Sequence, residues 1–206
     1  EGRARGAADG RLATFLDFSK AFDRVDWNFM FGCMTQVGIP PEFTRWVRLM
    51  YMDPVVSIFI NGHKAPPIWP NRGVKQGCPL SPLLFVLTIE PLSEMLRAKD
   101  GLGIPLPCGY WTCGALFADD VTLFSDNPAC LVDQLEIVEA YCAGSGAQLN
   151  RDKSKTIVLN NQRPVGGWPG LNLLINLDEV STLWRDIWTH WYKLPWSLKS
   201  RVAPMA

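Results

Sequence analysis

Residues 117–124 read FADDVTLF, two adjacent aspartates, Asp119 and Asp120, held between two stretches with strand character. TCGALF (112–117) before them and VTLFS (121–125) after them predict a β-hairpin with the aspartate pair at its turn. Aspartate is common in turns, and a solvated hairpin tip accounts for such a dipeptide on its own. The reading changes with LATFLDF (12–18), an apolar run too short for a helix, which carries a third aspartate, Asp17, near its end. If that strand lies beside the hairpin, Asp17 faces Asp119 across neighbouring strands, Asp120 stands next along, and three carboxylates converge.

Such a cluster has an electrostatic consequence. At an effective dielectric of about 20, two unit charges about 4 Å apart repel by roughly 4 kcal/mol, so the group requires cations or raised pKa values. Hard divalent cations with oxygen ligands, Mg²⁺ foremost, answer that requirement. Two such ions about 3.5–4 Å apart activate an attacking hydroxyl and stabilise a leaving pyrophosphate in an in-line displacement.

Around these stretches the chain alternates helix and turn signals. Asp26 predicts a helix N-cap, with Met30, Cys33, Met34 and Val37 at helical spacing and Gly38 as the stop. Pro40-Pro41 opens a second helix whose Phe43, Trp46, Val47, Met50 and Tyr51 form one apolar stripe. VVSIFI (55–60) followed by Asn61-Gly62 predicts a type I′ hairpin returning toward Pro66-Pro67. GVKQGCPLSPLLF (73–85) reads as a loop leading to a helix over 82–98, capped by Ser81, with Pro82 first and a kink at Pro91. A Gly/Pro-rich loop follows at 101–109. Asn127-Pro128 starts a helix with Leu131, Leu135, Val138 and Cys142 inward, ended by Gly144 and Gly146. KTIVLN (155–160) reads as a strand, GGWPG (166–170) as a loop and 181–192 as a helix.

The 206 residues are 48% hydrophobic and 19% charged, enough to bury a core as one domain, or one domain with an incomplete neighbour. Beginning at Glu1 and stopping within an apolar pattern at VAPMA, the chain reads as a fragment of something longer. No run of about 18 apolar residues occurs, and EGRARGAADGR at the start lacks the apolar stretch of a signal peptide. The expectation is a soluble, intracellular protein, neither secreted nor membrane-bound. Six cysteines without a CxxC pair, and only two histidines, support neither a zinc site nor a disulfide framework. Twenty basic and twenty acidic residues cancel, which runs against the basic surplus usual in nucleic-acid-binding proteins.

Three stretches in this order and spacing, LDFSKAFDRVDW, GVKQGCPLSPLLF and FADDVTLF, together resemble the palm of reverse transcriptases, most closely those of non-LTR (LINE-type) retrotransposons. The resemblance implies an α+β polymerase palm, an antiparallel sheet with helices packed on one face, the fingers missing and the thumb only begun. It implies a flexible segment over 1–11, the palm over 12–163, and a connection toward an incomplete thumb over 164–206. Asp17, Asp119 and Asp120 match the family's catalytic, metal-binding aspartates, and the carbonyl of Phe18 matches a further metal contact. Phe22 matches the aromatic beneath the incoming sugar that excludes a 2′-hydroxyl. Gln76 and Gly77 match the loop against nucleotide and template. GAQLNRDKS (146–154) resembles the block in which a lysine lies near the departing pyrophosphate. Lys153 is the matching position and Lys155 a near competitor.

The implied activity is RNA-dependent DNA polymerisation: two Mg²⁺ ions, with Mn²⁺ as substitute, assist transfer of a dNTP to a DNA primer 3′-hydroxyl on an RNA template. The missing fingers and thumb regions of a parent polyprotein are implied partners, and nucleus and cytoplasm the implied compartments. The alternative is a non-catalytic, domesticated palm that binds RNA or protein. In WRDIWTHWYKLPWSLKSRV (184–202), a stripe of Leu183, Trp184, Ile187, Trp188 and Trp191 reads as core, and Lys193, Lys199 and Arg201 as candidate phosphate contacts.

Overall fold

The structure, a computed structural model, describes residues 10–106 and 110–159. Those residues fall within a single compact unit, Glu1–Leu173. The expectations for most of the segment 1–11, for 160–163, for the GGWPG loop, for the helix over 181–192 and for the connection toward a thumb lie outside the described residues.

β1 (Leu12–Leu16), the first element in the chain, becomes a central strand. It pairs antiparallel on one side with β7 (Asp120–Ser125) and on the other with β8 (Lys155–Val158). β6 (Gly114–Phe117) closes the outer edge, giving a four-stranded sheet of order β6-β7-β1-β8. The alternation of the strands decides which face is buried. Leu12, Thr14 and Leu16 stand opposite Ser125, Leu123 and Val121, and all six are buried. On that face the sheet packs against Ile89, Leu92 and Leu96 of α4 (Ser81–Ala98) and Leu131, Val138 and Tyr141 of α5 (Pro128–Ser145). The described fold is thus α+β, an antiparallel sheet with helices packed on one face.

α2 (Trp27–Gln36) begins as the sequence predicts, with the Asp26 carboxylate accepting from Phe29 N–H at 2.9 Å. It ends in a Schellman motif: Gly38, at φ 82°, donates to Thr35 C=O and Ile39 donates to Met34 C=O. α3 (Pro41–Tyr51) departs from expectation. Only Val47 and Thr44 are buried, with Tyr51 partly so, while Phe43, Trp46 and Met50 of the expected stripe are exposed. A second core cluster, built from Val25, Met30, Phe31, Met34, Val47, Val74, Leu84 and Phe85, receives α3 by one narrow edge only.

The Asn61-Gly62 turn forms as predicted, with φ of 51° and 82°, between β2 (Phe59–Ile60) and β3 (His63–Lys64). Ser81 does not cap α4. Leu80 occupies the cap position in a helical conformation and no side chain caps it, because Ser81 is already drawn into the first turn and buried. α4 continues unbroken through Pro91. Asn127 caps α5, accepting from Cys130 N–H at 2.9 Å. The helix runs through Gly144 and stops at Gly146, whose φ of 77° suits glycine. Two further elements appear: a one-turn helix α1 (Ala21–Arg24), where the sequence assigned nothing, and a short ladder of β4 (Ile104–Pro105), inside the expected 101–109 loop, with β5 (Trp111–Thr112). No helix among the described residues is long and apolar enough to cross a membrane.

Candidate active site

The β1–β7 register sets the site. Leu16 pairs with Val121, so one step on in β1 and one step back in β7 Asp17 stands at the level of Asp120, and not of Asp119 as the sequence led us to expect, because Asp119 belongs to the turn. Since Leu16 and Val121 face the helices, the alternation of the strands turns both aspartates to the opposite face. Positions directly opposite in an antiparallel pair have Cβ atoms about 4.5–5.5 Å apart. Asp119 lies one residue away, in the two-residue turn between Phe117 and Asp120, which pair with each other. Ala118, the other turn residue, takes a φ of 52° and packs against the second core cluster. Asp17 is half-buried and the other two aspartates are exposed.

Asp17 is fixed from its other side. Its N–H donates to the Ser154 hydroxyl at 3.2 Å, and its C=O accepts from Asn150 N–H at 2.8 Å. Ser154, fully buried, donates in turn to Asn150 C=O at 2.7 Å. Lys153 belongs to the same turn: its N–H reaches the Asn150 side chain at 3.3 Å and its side chain is exposed. Lys155 lies in β8, opposite Phe15.

Phe18 continues the line of β1 as an isolated bridge to Leu149. The bonds of that bridge belong to its neighbours, Ser19 N–H to Gln148 C=O and Asn150 N–H to Asp17 C=O. The Phe18 carbonyl therefore points away from the 148–150 segment, toward the β7 side. Its ring is buried, edge-on to Tyr141 at 6.5 Å, so the side chain serves the core.

Phe22, on α1, is half-buried and stacks on Phe85 with ring centroids 4.5 Å apart and planes 11° from parallel. Gln76 and Gly77 are exposed in the loop before α4, and the Gln76 amide approaches Asp23 Oδ1 at 3.5 Å. Phe22 and Ala118 pack against the same core cluster, which links the α1 turn to the aspartate-bearing turn.

The donors presented here are oxygens, three carboxylates and a main-chain carbonyl, the set that suits a hard divalent cation. Asp17 and Asp119 enter no ion pair with any described residue. Among the described residues no three His, Cys, Asp or Glu side chains are gathered as a ready metal-holding group. The register presents the carboxylates side by side without drawing them into a closed cage.

Several residues that shape the site carry no motif signal. Gln134 on α5 is fully buried, accepts from the Ser125 hydroxyl at 2.6 Å, and donates to Phe124 C=O at 2.9 Å and Cys113 C=O at 3.2 Å. It pins the hairpin that carries Asp119 and Asp120 to the helical layer. A buried glutamine among apolar helix positions was the one available hint.

The chain resembles known proteins over most of its length. A family model for reverse transcriptase (RNA-dependent DNA polymerase) matches residues 3–183. The transposon TX1 uncharacterized 149 kDa protein of Xenopus laevis is 36% identical over 144 residues, covering 69% of this chain and 11% of that protein. The Pol polyprotein of the type-2 retrotransposable element R2DM of Drosophila melanogaster is 33% identical over 147 residues, 71% of this chain and 14% of that protein. The chain thus spans about a seventh or less of these two relatives. Among solved structures, telomerase from Candida albicans, in complex with a TWJ fragment of telomeric RNA, superposes with a TM-score of 0.55 at 12% identity, over 77% of this chain and 29% of that one. Apo telomerase from Candida tropicalis gives 0.51 at 14% identity, over 74% and 31%. The chain belongs to the reverse transcriptase (RNA-dependent DNA polymerase) family, as a domain of the non-LTR retrotransposon type.

Proposed function

We propose that this chain is the palm of an RNA-dependent DNA polymerase that adds a dNTP to a DNA primer 3′-hydroxyl, with fingers and thumb supplied by other regions of a longer polyprotein. The observation that carries the reading is the β1–β7 register, which sets Asp17 beside Asp120 and next to the turn holding Asp119. RNA as template is supported by the family, and by the RNA held in the telomerase complex of similar fold. The nucleus and cytoplasm are the compartments where such an element meets its RNA and its target.

Asp17, Asp119, Asp120 and the Phe18 carbonyl would hold two Mg²⁺ ions, or Mn²⁺ in their place. Bound there, the ions supply charge neutralisation at the attacking and leaving oxygens of an in-line displacement. The chain's own groups do the rest. The Asn150–Ser154 turn fixes the main chain of Asp17, and with it the point from which its carboxylate projects. Lys153 donates a proton, or a fixed positive charge, to the departing pyrophosphate. Phe22, backed by Phe85, closes the space a ribose 2′-hydroxyl needs. Gln76 and Gly77 lie against nucleotide and template.

A second reading is favoured by the exposed apolar residues of α3 and the β2–β3 hairpin, among them Trp46, Met50, Phe59 and Ile60. It is a non-catalytic module that binds RNA or protein through that surface. Primer extension by a longer chain that carries fingers and thumb around this palm separates the two. The polymerase reading expects that chain to elongate oligo(dT) on poly(rA) with Mg²⁺ and dTTP, abolished by chelation. Mg²⁺ binding by the folded longer chain without elongation favours the module.

A further inference from the structure

The turn bearing Phe22 and the loop bearing Gln76 and Gly77 are tied together at Gly73 and Val74. Val74 N–H donates to Phe22 C=O at 2.8 Å, and Gly73 N–H donates to Val25 C=O at 2.8 Å. The Trp27 indole N–H donates to Gly73 C=O at 2.8 Å. Gly73 sits at φ 90°, and a Cβ there would fall 2.8 Å from the Asp23 carbonyl oxygen, with no flexible side chain to give way. The indole is itself held, edge-on to Tyr51 with centroids 5.3 Å apart. Beyond this crossing the chain passes through Gln76 and Gly77 into α4, whose Phe85 stacks on Phe22. The circuit is closed: Phe22 is gripped at its backbone by Val74 and at its ring by Phe85, and the two grips are the two ends of the segment that carries Gln76 and Gly77.

We infer that Trp27 and Gly73 are positioning residues that lock sugar selection and nucleotide-loop placement into one rigid unit. Neither touches substrate. Trp27 holds the carbonyl of Gly73, and Gly73 allows the loop to lie directly on the α1 main chain, so the spacing between the Phe22 ring and the Gln76–Gly77 backbone is set by two short bonds. The ligand concerned is the incoming deoxynucleoside triphosphate, and the inference rests on the polymerase reading above. Because the lock acts on the nucleotide and not on the reacting hydroxyl, its loss falls on KM and on sugar choice.

The test uses the palm within a longer chain that carries fingers and thumb, with Trp27→Phe, which keeps an aromatic ring against Tyr51 and removes the indole N–H, and with Gly73→Ala as the stronger variant. Two readouts are taken: amide hydrogen exchange by mass spectrometry, and dTTP against UTP incorporation. In Trp27→Phe, exchange over 73–78 and 21–25 is expected to rise on the order of tenfold while β1, α4 and α5 keep theirs, since local opening follows the bonds removed. KM for dTTP rises on the order of tenfold with kcat nearly kept, and the preference for dTTP over UTP narrows. Unchanged exchange over 73–78, a rise spread evenly over all peptides, or a fall in kcat at constant KM overturns the inference. If Gly73→Ala does not fold, Trp27→Phe alone decides. A wild-type chain with fingers and thumb present that incorporates no nucleotide refutes the polymerase reading instead, and the exchange comparison then decides whether the lock exists.

Discussion

The main-chain N–H of Asp17 donates to the hydroxyl of Ser154 at 3.2 Å, and that hydroxyl donates in turn to Asn150 C=O at 2.7 Å. One buried serine thus joins the first aspartate of the site to the turn that carries Lys153. Replacing it by alanine leaves the Asp17 N–H without a partner. Ser154→Ala is expected to lower unfolding free energy by about 1–3 kcal/mol, read from urea denaturation. A midpoint unchanged from wild type contradicts the role given to Ser154.

Gln134, itself fully buried, bonds to Ser125, Phe124 and Cys113 across the junction of α5 with the aspartate hairpin. Gln134→Leu keeps the volume but takes the acceptor from the Ser125 hydroxyl and a donor from the Phe124 and Cys113 carbonyls, of which Cys113 keeps Phe124 N–H. The expected loss is about 2–3 kcal/mol, in the upper part of the range for an unpartnered buried group because more than one bond is lost together. Equal or greater stability in the leucine variant refutes that account.

How much of this was legible depends on range. Helix ends written in neighbouring residues, such as Asp26 with Phe29 or Asn127 with Cys130, follow from local chemistry and are where the sequence places them. The α3 stripe was not legible: helical periodicity says which residues share a face, not whether a neighbour covers it, and here Trp46 and Met50 are left exposed. The aspartates could be picked out by motif. Their shared face follows from a register between segments a hundred residues apart, which no local pattern encodes. Ser154, Gln134 and Gly73 act through main-chain partners in other elements, a role that no local pattern spells out.

Cys78 lies two residues from Gln76, at the start of the turn into α4. Hydrogen bonding from the backbone of Leu80 first, and from Ser81, lowers its thiol pKa. Burial raises those of Cys113 and Cys142. A lowered pKa keeps more thiolate at neutral pH, and its reactivity falls off only at a lower pH than an ordinary thiol's. Iodoacetamide at pH 7 is expected to label Cys78 before the other two, as mapped by peptide mass spectrometry. Earlier labelling of Cys113 or Cys142 contradicts this.

Phe22 stacks on Phe85 and is held in place from behind. If its outer face meets the sugar, Phe22→Ala opens room for a 2′-hydroxyl. UTP incorporation relative to dTTP is then expected to rise at least on the order of tenfold, within the range a shape-selected contact supplies. An unchanged ratio removes Phe22 from sugar selection.

The central claim is that Asp17, set beside Asp120 by the β1–β7 pairing, and Asp119, in the turn that precedes Asp120, act as one catalytic unit. The most direct measurement is primer extension, with fingers and thumb present, by wild type, Asp17→Asn, Asp119→Asn and the double variant. Each single change is expected to lower the rate by at least on the order of 10²-fold, and the double variant to be only slightly worse than either, because groups acting together are lost together. Near wild-type extension by either single variant, or losses that multiply in the double, would contradict the account.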